Sequence, residues 1–206
     1  STYVLDGVVF VAPGVTLTIR SGTQVHGREG SALVVESGGS LQARGTEFEP
    51  VVFTSDAPER MRLPGDWGGV ALLGRAPVNT PGAVLEGLTE IDRAGYGGSD
   101  SQWSCGVLEY VRIEFAGFAI KQDEELNGLT LAGCGSGTLV SHVQVHLGLD
   151  DGVAARELRV DEVDDAVFAR RRRRREGAVI GFGEAHGDAL AVLSLIHISE
   201  PTRLRR

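Results

Sequence analysis

The first fifty residues contain one segment twice, at an offset of 24 residues. VFVAPGVTLTIRSGT (9–23) aligns with LVVESGGSLQARGTE (33–47), so that Leu17 meets Leu41. A unit of this length that consists of short strands and turns cannot bury its apolar side chains alone, and it therefore has to stack on neighbouring units. The repeat predicts a solenoid.

Apolar residues recur at every second position within these units, which is the period of a β-strand. The alternation directs Val15, Leu17 and Ile19 toward a core and the threonines between them outward. The Pro13-Gly14 and Gly38-Gly39 pairs are typical of the corners between strands. Each unit is therefore expected to consist of strands joined by tight corners.

The longest regular stretch, residues 106–152, contains three more alternating strands, separated by Gly, Asn, Asp and Ser. Its segments EYVRIEF (109–115) and SHVQVHL (141–147) align at an offset of 32, and NGLTLAGCG (127–135) supplies a further strand between them. Residues 1–150 contain no convincing amphipathic helix, because their apolar residues do not recur at a spacing of three to four. These patterns predict an all-β solenoid.

Composition and charge narrow the class of protein further. The 29 glycines suit a fold with many tight turns, and no apolar run approaches the roughly 18 residues that a membrane-spanning helix needs. Residues 170–206 carry nine basic and four acidic side chains, which leaves 11 basic and 24 acidic groups, a net charge of −13, on residues 1–169. Such an acidic body repels nucleic acid and tolerates cations and neutral glycans, so we expect no nucleic-acid partner.

Residues 3–152 resemble secreted or lipoprotein-type right-handed parallel β-helix proteins of Gram-negative bacteria. The resemblance rests on the order and spacing of YVLDGVVFVAPGVTLTIRSGT, PVVFTSDAP, PGDWGGVALLGRAPVNTPG, CGVLEYVRIEFAGF and VQVHLGLDDG. It implies a right-handed single-stranded parallel β-helix, incomplete at the C-terminus, and export to the envelope or exterior. It supplies no catalytic residues, because that group mostly lacks an assigned activity.

The resemblance ends at the DDG turn, and we take residues 1–152 as the β-helix domain. Residues 153–169 depart from the family pattern, and only Asp164-Asp165 echoes its second Asp-Asp turn. LSLIHISEPTR (193–203) resembles a translated sequencing adapter, and six consecutive arginines lie upstream of it. We expect residues 170–206 to be a disordered or artefactual tail, with a short helix at Ala189–Ile196.

Candidate catalytic side chains lie around the DDG turn. His142 and His146 share one face of a strand about 13 Å apart, too far to bind one metal ion together. His146 lies closer to Asp150 and Asp151, and in some polysaccharide hydrolases one of two acids activates water while the other protonates the leaving oxygen. No Gly-His-Gly or Arg-x-Lys segment accompanies this pair, so a solvated pair that forms a turn is the favoured interpretation.

Two other groups are candidates for surface contacts. Tyr96 and Trp103, in or beside the irregular segment 75–104, suit stacking on a glycan, and aromatic lids over a solenoid core are the alternative. In the strand at 109–115, alternation places Glu109 and Glu114 on opposite faces and Arg112 on the face of Glu114, and these charges predict a cross-coil ladder on an exposed sheet.

The acidic run Asp123, Glu124 and Glu125 could bind Ca²⁺, although it lacks a regular ligand spacing, and no other metal or cofactor is expected. The two cysteines, Cys105 and Cys134, permit a disulfide in an oxidising compartment, and two free buried thiols are the alternative. They lie 29 residues apart, about one coil, and we predict that they form a disulfide.

These features favour an exported β-helix scaffold or ligand-binding segment without enzymatic activity, whose partners are glycans or cell-surface components. The alternative is a polysaccharide lyase or hydrolase that acts on acidic or neutral glycans. The sequence begins at Ser1 without a signal peptide, so the expected location, extracellular or at the outer membrane and cell envelope, rests on the resemblance alone.

Overall fold

The computed structural model describes residues 1–85, 88, 92–121, 124–149, 152–156, 167–171, 177–182 and 193–197. Within these ranges the only helical element is one 3₁₀ turn, Glu59–Met61, and all other regular elements are β-strands. The strands are β1 (Thr2–Leu5), β2 (Val8–Val11), β3 (Thr16–Ile19), β4 (Gln24–Gly27), β5 (Ala32–Val35), β6 (Ser40–Arg44), β7 (Val51–Ser55), β8 (Val70–Leu73), β9 (Gly106–Glu114), β10 (Ala119–Lys121), β11 (Glu124–Glu125), β12 (Leu129–Ala132), β13 (Leu139–His146), β14 (Val153–Arg156), β15 (Val167–Arg171), β16 (Gly177–Phe182) and β17 (Leu193–His197).

Parallel pairing between successive coils forms three faces. Face 1 contains β3, β6 and the first halves of β9 and β13. Face 2 contains β1, β4, β7 and the second halves of β9 and β13. Face 3 contains β2, β5, β8, β12 and β14. The chain visits face 3, face 1 and face 2 in turn, which confirms the predicted parallel β-helix.

The strand registers reproduce both repeat offsets. Leu17 of β3 pairs with Leu41 of β6, the offset of 24 seen in the sequence. Val143 of β13 pairs with Val111 of β9, the offset of 32. We number the coils accordingly: coil 1 is β2–β4, coil 2 is β5–β7, coil 3 is β8 with β9, and coil 4 is β12 with β13.

Left-handed backbone conformations form the corners. Gly14 and Gly38 have φ angles of 78° and 103°, and the Gly14 N–H donates a hydrogen bond of 2.8 Å to the Gly38 carbonyl. Tyr110 and His142 adopt φ angles of 48° and 53° in the middle of β9 and β13, so each of these long strands bends and belongs to two faces. Their rings stack with centroids 4.2 Å apart, which favours this uncommon conformation at two bulky residues.

Inward-facing apolar side chains from all three faces form one continuous core. Trp67 lies in this core with no exposed surface. Its Nε1 donates a hydrogen bond of 2.8 Å to the Glu114 carbonyl, and its ring stacks on Phe53 at a centroid distance of 6.5 Å. The indole therefore connects the corner after coil 2 to the end of β9 in coil 3.

The prediction that the apolar side chains of residues 15–19 face the core is correct for Ile19 and wrong for Val15. Ile19 is 8% exposed and Leu17 is partly buried, whereas Val15 is 49% exposed. Among the described strands β3 pairs only with β6, so the outer edge of coil 1 has no neighbouring coil to cover Val15.

A second core lies outside face 3. The outward side chains of face 3, including Val34, Ala71 and Leu73, are buried under residues of segment 75–104. The covering residues are Leu85, Leu88, Ala94 and Tyr96. We call the described residues of segment 75–104 the face-3 flap, because these four side chains cover an outer surface of the solenoid that would otherwise be apolar and exposed.

The flap is held at its edge by one arginine. Arg93 forms an ion pair with Glu36, which is only 8% exposed, and its guanidinium lies 4.3 Å from the centroid of the Phe10 ring. The ion pair and the cation–π contact therefore both hold the Arg93 side chain, and with it the edge of the flap, against the solenoid.

The strands after coil 4 follow a different pattern. β14 extends face 3 and β15 pairs in parallel with β13, but β16 and β17 pair antiparallel with their neighbours. The short helix expected at Ala189–Ile196 is wrong where the structure describes it, because Leu193–His197 form β17. Asp164-Asp165 lie outside the described residues, and the proposed domain boundaries stay predictions.

Within the described ranges, no helix has the length and apolar character needed to cross a membrane.

Substituting Gly27→Ala should destabilise the solenoid. A Cβ at Gly27 would lie 2.6 Å from a ring carbon of Trp67, whose indole is fixed by its hydrogen bond, so the core must shift. We expect a loss of about 1–3 kcal/mol in the free energy of unfolding, measured by urea denaturation. Gly95→Ala is the matched control, because a Cβ there meets no atom within 4 Å. Equal unfolding midpoints for the two variants would contradict the close packing of Gly27 against Trp67.

Candidate functional site

The outer surface of face 2 carries two rows of side chains that run across the coils, and seven of the eight side chains are polar or charged. Strand registers align one row through β4, β7, β9 and β13 as His26, Thr54, Glu114 and His146. They align the second row as Gln24, Val52, Arg112 and Gln144. We call these eight residues the face-2 strip. Because paired strands lie about 4.8 Å apart, the strip extends roughly 15 Å along the solenoid axis.

A buried carboxylate lies at the centre of the strip. Glu114 is 8% exposed, and its Oε2 accepts a hydrogen bond of 3.0 Å from the Thr54 hydroxyl of the preceding coil. Its Oε1 is ion-paired with the guanidinium of Arg112, which is itself well exposed. The pairing and the hydrogen bond together compensate the cost of burying the charge, so Glu114 is an ordered acceptor on an otherwise open surface.

The loop between β7 and β8 supports this carboxylate. Arg62 donates to the Ala57 carbonyl at 2.9 Å and to the Thr54 hydroxyl at 3.4 Å, which orients Thr54 toward Glu114. The prediction that the charged residues of strand 109–115 form a ladder on an exposed sheet is therefore wrong for Glu114, which is buried. It holds for Glu109, which is partly exposed and pairs with Arg44 of the coil before it at 3.2 Å.

The strip ends in a charged network in coil 1. His26 Nδ1 lies 3.7 Å from a carboxylate oxygen of Asp56, and Arg28 pairs with Asp56 at 3.3 Å and with Asp6 at 2.7 Å. The hydrogen bond with Asp56, followed by the charge of Asp6, raises the pKa of Arg28 above its ordinary value. Arg28 is therefore a permanent cation at this end of the strip.

The two histidines of β13 have separate surroundings. His146 is exposed on the strip, directly across from Glu114 in the register of β13 with β9. His142 lies at the bend of β13, stacked on Tyr110, and its Nδ1 is 2.7 Å from the Ser141 hydroxyl. Asp150 and Asp151 lie outside the described residues, so their approach to His146 stays a prediction.

The two aromatic candidates belong to different cores. Tyr96 packs, partly buried, on the second core under the flap. Trp103 packs against the main core, and the guanidinium of Arg75 lies 4.7 Å from its ring centroid. Neither residue lies on the face-2 strip, and a glycan-stacking role for them stays a prediction.

The calcium hypothesis also stays a prediction. Asp123 lies outside the described residues, while Glu124–Glu125 form β11 and pair antiparallel with β10. Across the part of the chain that the structure describes, no group of three His, Cys, Asp or Glu side chains is arranged to bind a metal ion.

A disulfide joins Cys105 to Cys134 in the structure, with Cα atoms 5.6 Å apart. Cys105 lies between the flap and β9 of coil 3, and Cys134 follows β12 of coil 4, so the bond links adjacent coils. Both residues are fully buried in the main core. The C-terminal end of the flap is therefore tied covalently to the coil below it.

Three parallel faces, a continuous inner core and a polar strip on one outer surface define a parallel β-helix protein. Residues 1–155 match the family described as "Pectate-lyase like beta helix domain", and the chain belongs to that family. No curated protein and no solved structure matches the chain.

Sequence reasoning missed the contact between Thr54 and Glu114. The two residues are 60 positions apart, because the loop after β7 and the face-3 flap, which lies within coil 3 between β8 and β9, lengthen the chain between them and obscure the repeat. The only available signal was the alternation of EYVRIEF, which places Arg112 and Glu114 on the same outer surface as the polar positions of β7.

We expect the disulfide to be measurable by mass spectrometry of the denatured protein. Without reductant, alkylation should leave the mass unchanged, and reduction should allow two alkyl groups to add. Replacing both cysteines, Cys105→Ser with Cys134→Ser, should lower the free energy of unfolding by about 3–4 kcal/mol for a closed loop of this length. Full alkylation of the denatured protein without reductant would rule the bond out.

Proposed function

We propose that this chain is an exported β-helix module of a Gram-negative cell envelope or exterior, and that it binds a glycan along the face-2 strip without transforming it. The observation that carries the proposal is the alignment of polar side chains across four coils around the ordered Glu114 carboxylate. Membership of the pectate-lyase-like family and the disulfide support export, because disulfides persist in oxidising compartments.

The chemistry of the strip suits hydroxyl groups. The amides of Gln24 and Gln144 each offer a donor and an acceptor, Arg112 offers donors, and His146 offers one of each when neutral. All four side chains are exposed. A row of mixed donors and acceptors matches the hydroxyls along an extended sugar chain, and the acidic body favours a chain with few or no negative charges.

One observation favours a second function, that of a polysaccharide lyase or hydrolase. His146 lies across from Glu114 on the same outer surface, in a family named for its likeness to pectate lyase. The catalytic residues of this alternative are Asp150, Asp151 and His146, with one acid activating water and the other protonating the leaving oxygen in a hydrolase.

The binding proposal predicts that a double variant of the strip loses affinity for its glycan. Gln144→Ala with His146→Ala removes two exposed side chains and leaves the buried Glu114 pair intact. We expect roughly tenfold weaker binding to the neutral glycans of a panel, from the loss of two hydrogen bonds. Calorimetry or affinity electrophoresis measures the change.

Thr16→Ala is the matched control for this experiment, because Thr16 is an exposed outward residue of face 1. Its affinity should equal that of the unsubstituted protein. Equal weakening by the control and the double variant, or the absence of binding to any glycan of the panel, would exclude the strip as the binding surface.

The proposal further predicts no turnover. Incubation with pectin, alginate and host glycans should release neither reducing sugar nor unsaturated product. Release that Asp150→Asn with Asp151→Asn abolishes, while circular dichroism shows an unchanged β-type spectrum, would replace the binding proposal with the lyase or hydrolase. Release that survives this change would exclude those two acids as the catalytic pair.

A further inference from the structure

A shallow groove with a volume of about 510 Å³ lies on the outer surface of face 1. Its lining residues are Thr18, Ile19, Arg20, Ser21, Gln42 and Arg44. Among these described residues there is no carboxylate, and every polar side chain can donate a hydrogen bond. The groove lies on a different face from the strip.

Strand register brings two like charges together in the groove. Ile19 pairs with Ala43, so the following residues, Arg20 and Arg44, lie side by side in adjacent coils. Like charges at directly opposite positions of a sheet repel each other. Arg44 has a partner in the third coil, Glu109 at 3.2 Å, but Arg20 forms no ion pair with any described residue.

Among the other described arginines of residues 1–121, four form an ion pair with a carboxylate, and Arg60, Arg62 and Arg75 do not. Arg28, Arg93 and Arg112 each form an ion pair with a carboxylate. Arg20 differs from these three in that no described carboxylate pairs with it, although residues 1–169 carry 24 acidic and 11 basic groups. The charge at Arg20 is therefore available to a ligand.

We infer that this groove binds a single carboxylate or sulfate group through Arg20 and Arg44. The planar guanidinium matches two oxygens of an oxyanion, and the hydroxyls of Thr18 and Ser21 lie beside it as further donors. Because the body as a whole is acidic, it repels long polyanions, so the ligand is a short one with an isolated charge, such as an acidic sugar.

The test is an NMR titration of the ¹⁵N-labelled 206-residue chain at low salt with inorganic sulfate, with glucuronate and with glucose. We expect saturable shifts of the Arg20 and Arg44 side-chain signals with the two anions, at dissociation constants on the order of 1–10 mM, and none with glucose. Shifts with only one anion identify the group that the site prefers. Raising the salt concentration should weaken both titrations.

Arg20→Gln should weaken anion binding at least fivefold, and Arg20→Lys should weaken it less, because the charge remains while the paired donors are lost. Arg60→Gln is the matched control, an exposed arginine on the 3₁₀ turn far along the chain from the groove. Equal effects of the Arg20 and Arg60 changes, or no saturable shift with either anion, would overturn the inference. Glycan binding at the face-2 strip is expected to be unchanged in Arg20→Gln. The experiments therefore test the anion site and the glycan site independently.

Discussion

Each coil of this protein depends on backbone pairing with its neighbour, and that pairing sets every other contact. Parallel registers place Val25, Phe53, Ile113 and Val145 in one inward column of face 2, all buried. A shift of one residue would turn such a column outward. The insertions that vary the coil length, such as the loop after β7 and the face-3 flap, therefore leave the solenoid only at corners, where the strand registers on both sides survive.

The same registers give the three outer surfaces different properties. The flap covers the outer surface of face 3, and the apolar side chains of the flap and of this surface form the second core. Face 2 shows a row of hydrogen-bonding side chains around a buried carboxylate, and face 1 shows a groove in which Arg20 has no ion-pair partner among the described residues. Since parallel stacking repeats each outward position once per coil, a few substitutions per repeat are enough to define a linear surface. The two binding sites that we propose therefore lie on faces 1 and 2.

Short-range patterns were sufficient to predict the fold. The offsets of 24 and 32 in the sequence are the registers of β3 with β6 and of β13 with β9, because alternation and corner glycines are local signals. The bends at Tyr110 and His142 could not be predicted, since bulky residues seldom adopt positive φ. The burial of Glu114 also escaped prediction, because it depends on Thr54 and Arg62, whose positions follow from tertiary packing.

The bond between Cys105 and Cys134 has a mechanical consequence. A stacked solenoid that is pulled from its ends loses coils one at a time, because each coil is held mainly by its neighbours. The bond closes the chain between the two cysteines, 29 residues apart, into a loop that tension cannot straighten. About 100 Å of contour length stays hidden from the applied force. The strands within this loop, β9 of coil 3 and β12 of coil 4, would therefore stay together under such a force.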